Sequence, residues 1–145
     1  MISGKSSLEL FEMMTENMIV QAVEESNKYA GQKNIHEFCL KIEEFKQFLG
    51  GIFYTGYHIL PREKTYCENA SDSGTTLVSQ AMSRIRNFDI KKYLHFNDNA
   101  AIDTDRCYKV RPIYTLLNKT LHQFGVFSEH LNIDERMVRC FGRHG

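Results

Sequence analysis

Residues 38–61, FCLKIEEFKQFLGGIFYTGYHILP, carry the most regular pattern in the chain. Phe38, Ile42, Phe45, Leu49, Ile52 and Phe53 follow steps of three and four, the spacing that gathers apolar side chains along one face of a helix. Such a stripe is core in nearly every helical domain. Gly50 and Gly51 interrupt an otherwise strong helix former, at about 1 kcal/mol each against alanine. That cost points either to close packing against another helix or to a weaker helix. Pro61 disfavours the α conformation at Leu60, so the helix is expected to end near there.

The same period extends outward on both sides. Upstream, Ser6 and Glu9 have the spacing of a capping box. Phe11, Met14, Met18 and Ala22 then recur at helical spacing, with Glu12, Glu16, Glu24 and Glu25 opposite them. A helix over 8–29 is expected, with Gly31 as its stop. Downstream, residues 62–76 are polar, with Asn69, Ser71, Asp72, Ser73 and Gly74 clustered as in a loop. A short helix over 77–82 follows. Ser83 can cap another helix, running through Phe88, Tyr93 and Leu94 to about Phe96. Residues 97–106 read as a second polar loop. Pro112 suits a first helical turn, where its missing N–H costs nothing. Val110, Ile113, Leu116, Leu117, Leu121 and Phe124 form that helix's apolar face, and Gly125 ends it. From residue 131 the period changes to alternation, and this tail is the best strand candidate.

Length and composition agree with a helical globular domain. The chain has 145 residues, 42% of them hydrophobic and 25% charged, enough for one domain with a real core. Eighteen basic and eighteen acidic residues leave no formal net charge, which argues against polyanion binding by bulk charge. The charge is uneven, however. Residues 1–50 hold eight acidic and five basic side chains, and residues 51–145 hold ten and thirteen. The four cysteines, Cys39, Cys67, Cys107 and Cys140, form no C-x-x-C pair. Free thiols in a reducing compartment are the expectation. No apolar run approaches the roughly 18–20 residues of a membrane span. The six histidines show no ligand spacing with a carboxylate or thiolate, and His95 reads as a helix-end residue.

Four segments are more specific. The first is Glu44-Phe45-Lys46-Gln47-Phe48-Leu49-Gly50, continuing through Gly56 to Leu60-Pro61. The second is Met82-Ser83-Arg84 with Phe88, then Leu94-His95-Phe96-Asn97-Asp98-Asn99. The third is Asp105-Arg106, then Tyr108-Lys109-Val110-Arg111-Pro112 with Leu117-Asn118. The fourth is Ile133-Asp134-Glu135-Arg136-Met137-Val138, then Phe141-Gly142-Arg143-His144. With the opening from Leu10-Phe11 to Asn27-Lys28-Tyr29-Ala30, their order and spacing resemble the N-terminal part of piggyBac-type DDE transposases over nearly the whole chain. The Tyr-Trp that often follows the family's Leu-Pro turn is here Tyr66-Cys67, and the chain has no tryptophan.

The resemblance implies a mainly α fold. Residues 1–128 would form a helical bundle, the region that dimerises and grips DNA. Residues 129–145 would be the truncated start of an RNase H-like catalytic domain, as a strand or hairpin. In that chemistry three carboxylates hold two Mg²⁺ ions that clamp the attacking and leaving oxygens of a phosphoryl transfer. Asp134 matches the first of the three. One carboxylate binds Mg²⁺ poorly, so the expectation is a catalytically incomplete chain with no metal of its own. The tail from 131 to 141 is expected to be exposed.

Arg84, Arg86, Lys91 and Lys92 fall within one expected helix, and Arg106, Lys109 and Arg111 precede another. They are the candidate DNA contacts, since basic side chains on a helix can position phosphates without reading bases. The competing reading of each is an ordinary solvated cation. The expected partners are double-stranded DNA, a second copy or a longer family member, with no membrane; the resemblance implies the nucleus, with the cytoplasm as the alternative. The alternatives are a protein-interaction module and a non-functional remnant of a domesticated transposon.

Overall fold

The computed structural model describes residues 4–58, 76–101, 104–105 and 107–124. They form five α-helices: α1 (Ser7–Gln32), α2 (Ile42–Tyr57), α3 (Thr76–Ala81), α4 (Arg84–Tyr93) and α5 (Arg111–Phe124), with a 3-10 turn at Asn99–Ala101. Among the described residues there is no strand, and the expected strand at 129–145 lies outside them. So do Leu60-Pro61 and Tyr66-Cys67.

α1 starts as its sequence dictates. The Ser6 hydroxyl accepts from the Glu9 amide, and the Glu9 carboxylate accepts from the Ser6 amide at 2.7 Å. These reciprocal bonds satisfy two backbone donors that the first turn leaves orphaned. The end differs from expectation, because the helix runs through Gly31. Asn34 adopts a left-handed backbone (φ 58°). The Asn34 amide donates to Gly31 O and the Ile35 amide to Ala30 O, both at 2.9 Å. That is a Schellman closure with asparagine in the position glycine more often fills.

α2 folds back antiparallel to α1. Phe11 meets Phe53 edge to face at 5.5 Å, and Glu12 pairs with Lys46 at 2.9 Å. Farther along, the Asn27 amide side chain donates to Leu40 O at 2.9 Å and accepts from Leu40 N at 2.7 Å. It thereby pairs an extended segment, residues 38–41, with α1. Phe38 belongs to this segment and precedes the helix it was expected to share. The expected stripe is only partly core. Phe38 and Phe45 are buried and Leu49 packs half-buried against the core, joined by Phe48, whereas Ile42, Ile52 and Phe53 remain exposed. Gly50 and Gly51 have open space where a Cβ would sit, so neither marks a close helix approach.

The core joins Ile19, Ala22, Val23 and Ala30 of α1 with Phe38, Leu40, Phe45, Phe48, Met82 and Ile90. α4 and α5 both pack on α1. The turn after α4 is pinned there as well. Asp98 takes Lys28 Nζ at 2.8 Å, Gln32 Nε2 at 2.8 Å and the Ala100 amide at 2.8 Å. These three donors hold its carboxyl well below the usual aspartate range, the Lys28 bond contributing most. Tyr108 closes the turn, its hydroxyl donating to Asp98 O and its carbonyl accepting from Asn97 Nδ2.

Candidate nucleic-acid interface

α4 is short, so its two faces separate cleanly. Its start is fixed by Ser83, whose hydroxyl accepts from the Arg86 amide, a standard way to satisfy a first-turn donor. It ends at Tyr93, three residues earlier than expected. Arg86, Ile90 and Tyr93, at steps of four and three, make the inner stripe. Ile90 is fully buried, and Tyr93 packs its ring 4.9 Å from Phe38. The outer face carries Arg84, Ile85, Phe88, Lys91 and Lys92, all exposed. Ile85 is 76% exposed and Phe88 37%. Three cations thus surround an apolar patch, an arrangement that suits a phosphate backbone with bases or sugars beside it.

The cations are not equivalent. Lys92 Nζ lies 5.0 Å from the Tyr93 ring centre, and a hydrogen bond with the Tyr93 side chain raises its pKa. Lys91 is shifted the other way, because neighbouring structure partly strips water from its ammonium.

Arg86 faces inward. Its Nε donates to Glu44 Oε1 at 2.5 Å, and its Nη2 to Glu44 Oε2 at 2.7 Å and to Cys39 O at 2.6 Å. The guanidinium carbon also sits 4.9 Å from the Phe38 ring centre. The fork-to-fork bonds lower the Glu44 pKa and raise that of Arg86. Glu44 was not among the sequence candidates. It is forty-two residues from Arg86, and no local signal pairs them.

The second expected cluster is on another helix. Lys109 is exposed in the turn before α5. Arg111 pairs through Nε with Asp105, whose other oxygen accepts from the Cys107 amide at 2.9 Å. Arg106 and Asp134 lie outside the described residues. Among the described residues no group of three or more His, Cys, Asp or Glu side chains is placed to hold a metal ion. No helix among the described residues is long and apolar enough to cross a membrane. His95 stacks on Tyr29 at 3.5 Å. Its Nδ1 lies 3.0 Å from Tyr93 O, which can only accept, so that nitrogen carries the proton.

Comparison with known proteins adds the following. The family model described as Transposase IS4 matches residues 6–145. The human "PiggyBac transposable element-derived protein 3" is 38% identical over 143 residues, 97% of this chain and 24% of that protein. The human "PiggyBac transposable element-derived protein 2" is 37% identical over 142 residues, again 97% and 24%. The chain therefore spans about a quarter of the length of these relatives. No solved structure matches it.

Proposed function

The chain belongs to the IS4-type transposase family, among its piggyBac transposable element-derived members, and from that premise we propose that it is a DNA-binding helical module without transposase activity of its own. The observation that carries the reading is the outer face of α4, where Arg84, Lys91 and Lys92 surround Phe88. Lys109 and Arg111, with Arg106 beside them in sequence, supply a second basic group before α5. Phosphate contacts of this kind give affinity without sequence selectivity. The proposed ligand is double-stranded DNA, and the proposed compartment is the nucleus.

Asp134 is proposed as the counterpart of the family's first catalytic aspartate. It would be a Mg²⁺ ligand in a protein that supplies two further carboxylates. Within residues 1–145 the family motif marks one carboxylate of that set, and no cutting activity is proposed for this segment by itself.

One feature favours a second reading, a protein-interaction module that pairs with itself or with a longer family member. α5 and the residue before it present Val110, Tyr114 and Leu121 at 39%, 61% and 45% exposure, with half-buried Leu117 between them. The steps of four, three and four form a helical seam. A non-functional remnant would show neither activity.

Fluorescence anisotropy with short duplex DNA over a salt series separates these readings. Binding that falls steeply with salt, and is weakened by Arg84→Ala combined with Lys91→Ala, is the expected result. No binding at low salt would retire the DNA reading. Concentration-dependent self-association without DNA binding would favour the second.

A further inference from the structure

The Arg86 guanidinium ties α4 to the start of α2 and to the extended segment that leads into it. It reaches α2 through Glu44, the extended 38–41 segment through Cys39 O, and the Phe38 ring. Both guanidinium and carboxylate are about one-quarter exposed, so water neither dissolves the pair nor is fully excluded from it. The fork-to-fork geometry fixes direction as well as distance, which a lysine ammonium would not. α4 has only ten residues, a length of about 15 Å. Its inner stripe begins at Arg86, two residues from Arg84. The rotation of α4 about its own axis, and so the direction in which Arg84, Lys91 and Lys92 project, depends on that anchor.

We propose that Glu44 and Arg86 are a positioning pair for DNA: Arg86 does not touch phosphate, and Glu44, although acidic, promotes binding by holding the cationic face of α4 outward. The inference rests on the DNA-binding reading above and sharpens it. It makes an acidic residue a contributor to polyanion binding and removes one cation from the contact set.

Direct contact and positioning predict opposite signs. If Arg86 met phosphate, Glu44→Gln would release it and tighten binding, and Arg86→Ala would lower the slope of log K against log salt by about one phosphate's worth. In the positioning arrangement, Glu44→Gln and Arg86→Ala each weaken binding by on the order of threefold or more, with little change in slope. The double variant should be no worse than either single one, as expected for residues acting as a unit. Arg86→Lys should fail to restore affinity, whereas the exchange Glu44→Arg with Arg86→Glu should restore part of it.

The measurement is anisotropy with a labelled duplex, taken well below each variant's melting temperature so that the folded protein is compared. A merely structural pair would lower the melting temperature and leave the affinity of the folded chain unchanged, which overturns the proposal. Tighter binding by Glu44→Gln, or a reduced slope for Arg86→Ala, overturns it as well and leaves the DNA reading standing. Failure of the unmodified chain to bind at low salt overturns both.

Discussion

Ser26 lies in the middle of α1 with no exposed surface, and its hydroxyl is committed twice. It donates to Ala22 O at 2.5 Å and accepts from the His95 amide at 3.0 Å. The second bond ties the chain beyond α4 to the centre of α1. Replacing Ser26 by alanine leaves a buried amide unpaired, which costs about 1–3 kcal/mol. A lower urea midpoint with unchanged slope would register that loss. Glu44 gives a pH dependence. Its folded-state pKa lies below its ordinary value of 4.5, so its contribution to stability is complete above that value. It is lost as pH falls through the depressed value. Acid titration of the melting temperature should therefore show a limb below about pH 4.5 that Glu44→Gln flattens. The same limb surviving in Glu44→Gln would assign it to the other carboxylates held below their ordinary values, Glu9, Asp98 and Asp105. Local chemistry is what the sequence exposes at this scale. Ser6 with Glu9, and Ser83, are legible because cap and target are neighbours. The Arg86–Glu44 pair is not, since only the assembled fold brings its members together. Asn34 was legible in principle, as asparagine tolerates the left-handed turn, but Gly31 three residues earlier offers the commoner signal.

The buried side of α1 is Thr15, Ile19, Ala22, Val23, Ser26 and Ala30, displaced by about one position from the Phe11, Met14, Met18 and Ala22 stripe. Hydrophobic pattern reading passes over Thr15 and Ser26. Both can be buried because each donates to a carbonyl four residues back in its own helix, Phe11 O and Ala22 O. Phe11, Met14 and Met18 are half-buried. α2 shows the opposite error. Its periodic pattern is real, but Ile52 and Phe53 stay exposed. Periodicity reports which residues share a face, and cannot say whether a neighbour covers it. The glycines of α2 allow a direct check. A Cβ at Gly50 or Gly51 would meet nothing within 4 Å, so an alanine adds no clash and removes unfolded-chain entropy. Gly50→Ala and Gly51→Ala should each stabilise by about 0.5–1 kcal/mol, read as a higher urea midpoint with the same slope. Destabilisation by either would mean that something packs on that side of α2.

The chain has no net charge, yet its charges are sorted by helix. α1 is rich in glutamate, while α4 exposes Arg84, Lys91 and Lys92 around Ile85 and Phe88, with the half-exposed Asp89 as its one acidic residue. A neutral total therefore conceals a local positive surface, and phosphate binding depends on that surface more than on the sum. Three of its cations, Arg84, Lys91 and Lys92, could be placed on one helix from sequence. The inward turn of Arg86 could not, because helical spacing alone does not say which side meets the core. Catalysis is a separate matter from binding. Two-metal phosphoryl transfer needs several carboxylates converging around a pair of ions, and the family resemblance gives this chain Asp134 alone. DNA bound on α4 would be held without a complete cutting centre. The expected outcome is that the 145-residue chain, incubated with supercoiled plasmid and Mg²⁺, leaves it intact over hours. Asp134→Asn should bind duplex DNA with unchanged affinity and salt slope, since Asp134 is outside the proposed set of basic contacts. Nicking that requires Mg²⁺ and disappears in Asp134→Asn would show that the chain assembles a metal site, by self-association or with carboxylates the motifs do not mark. In that event Glu135, next to it in sequence, would be the first residue to replace.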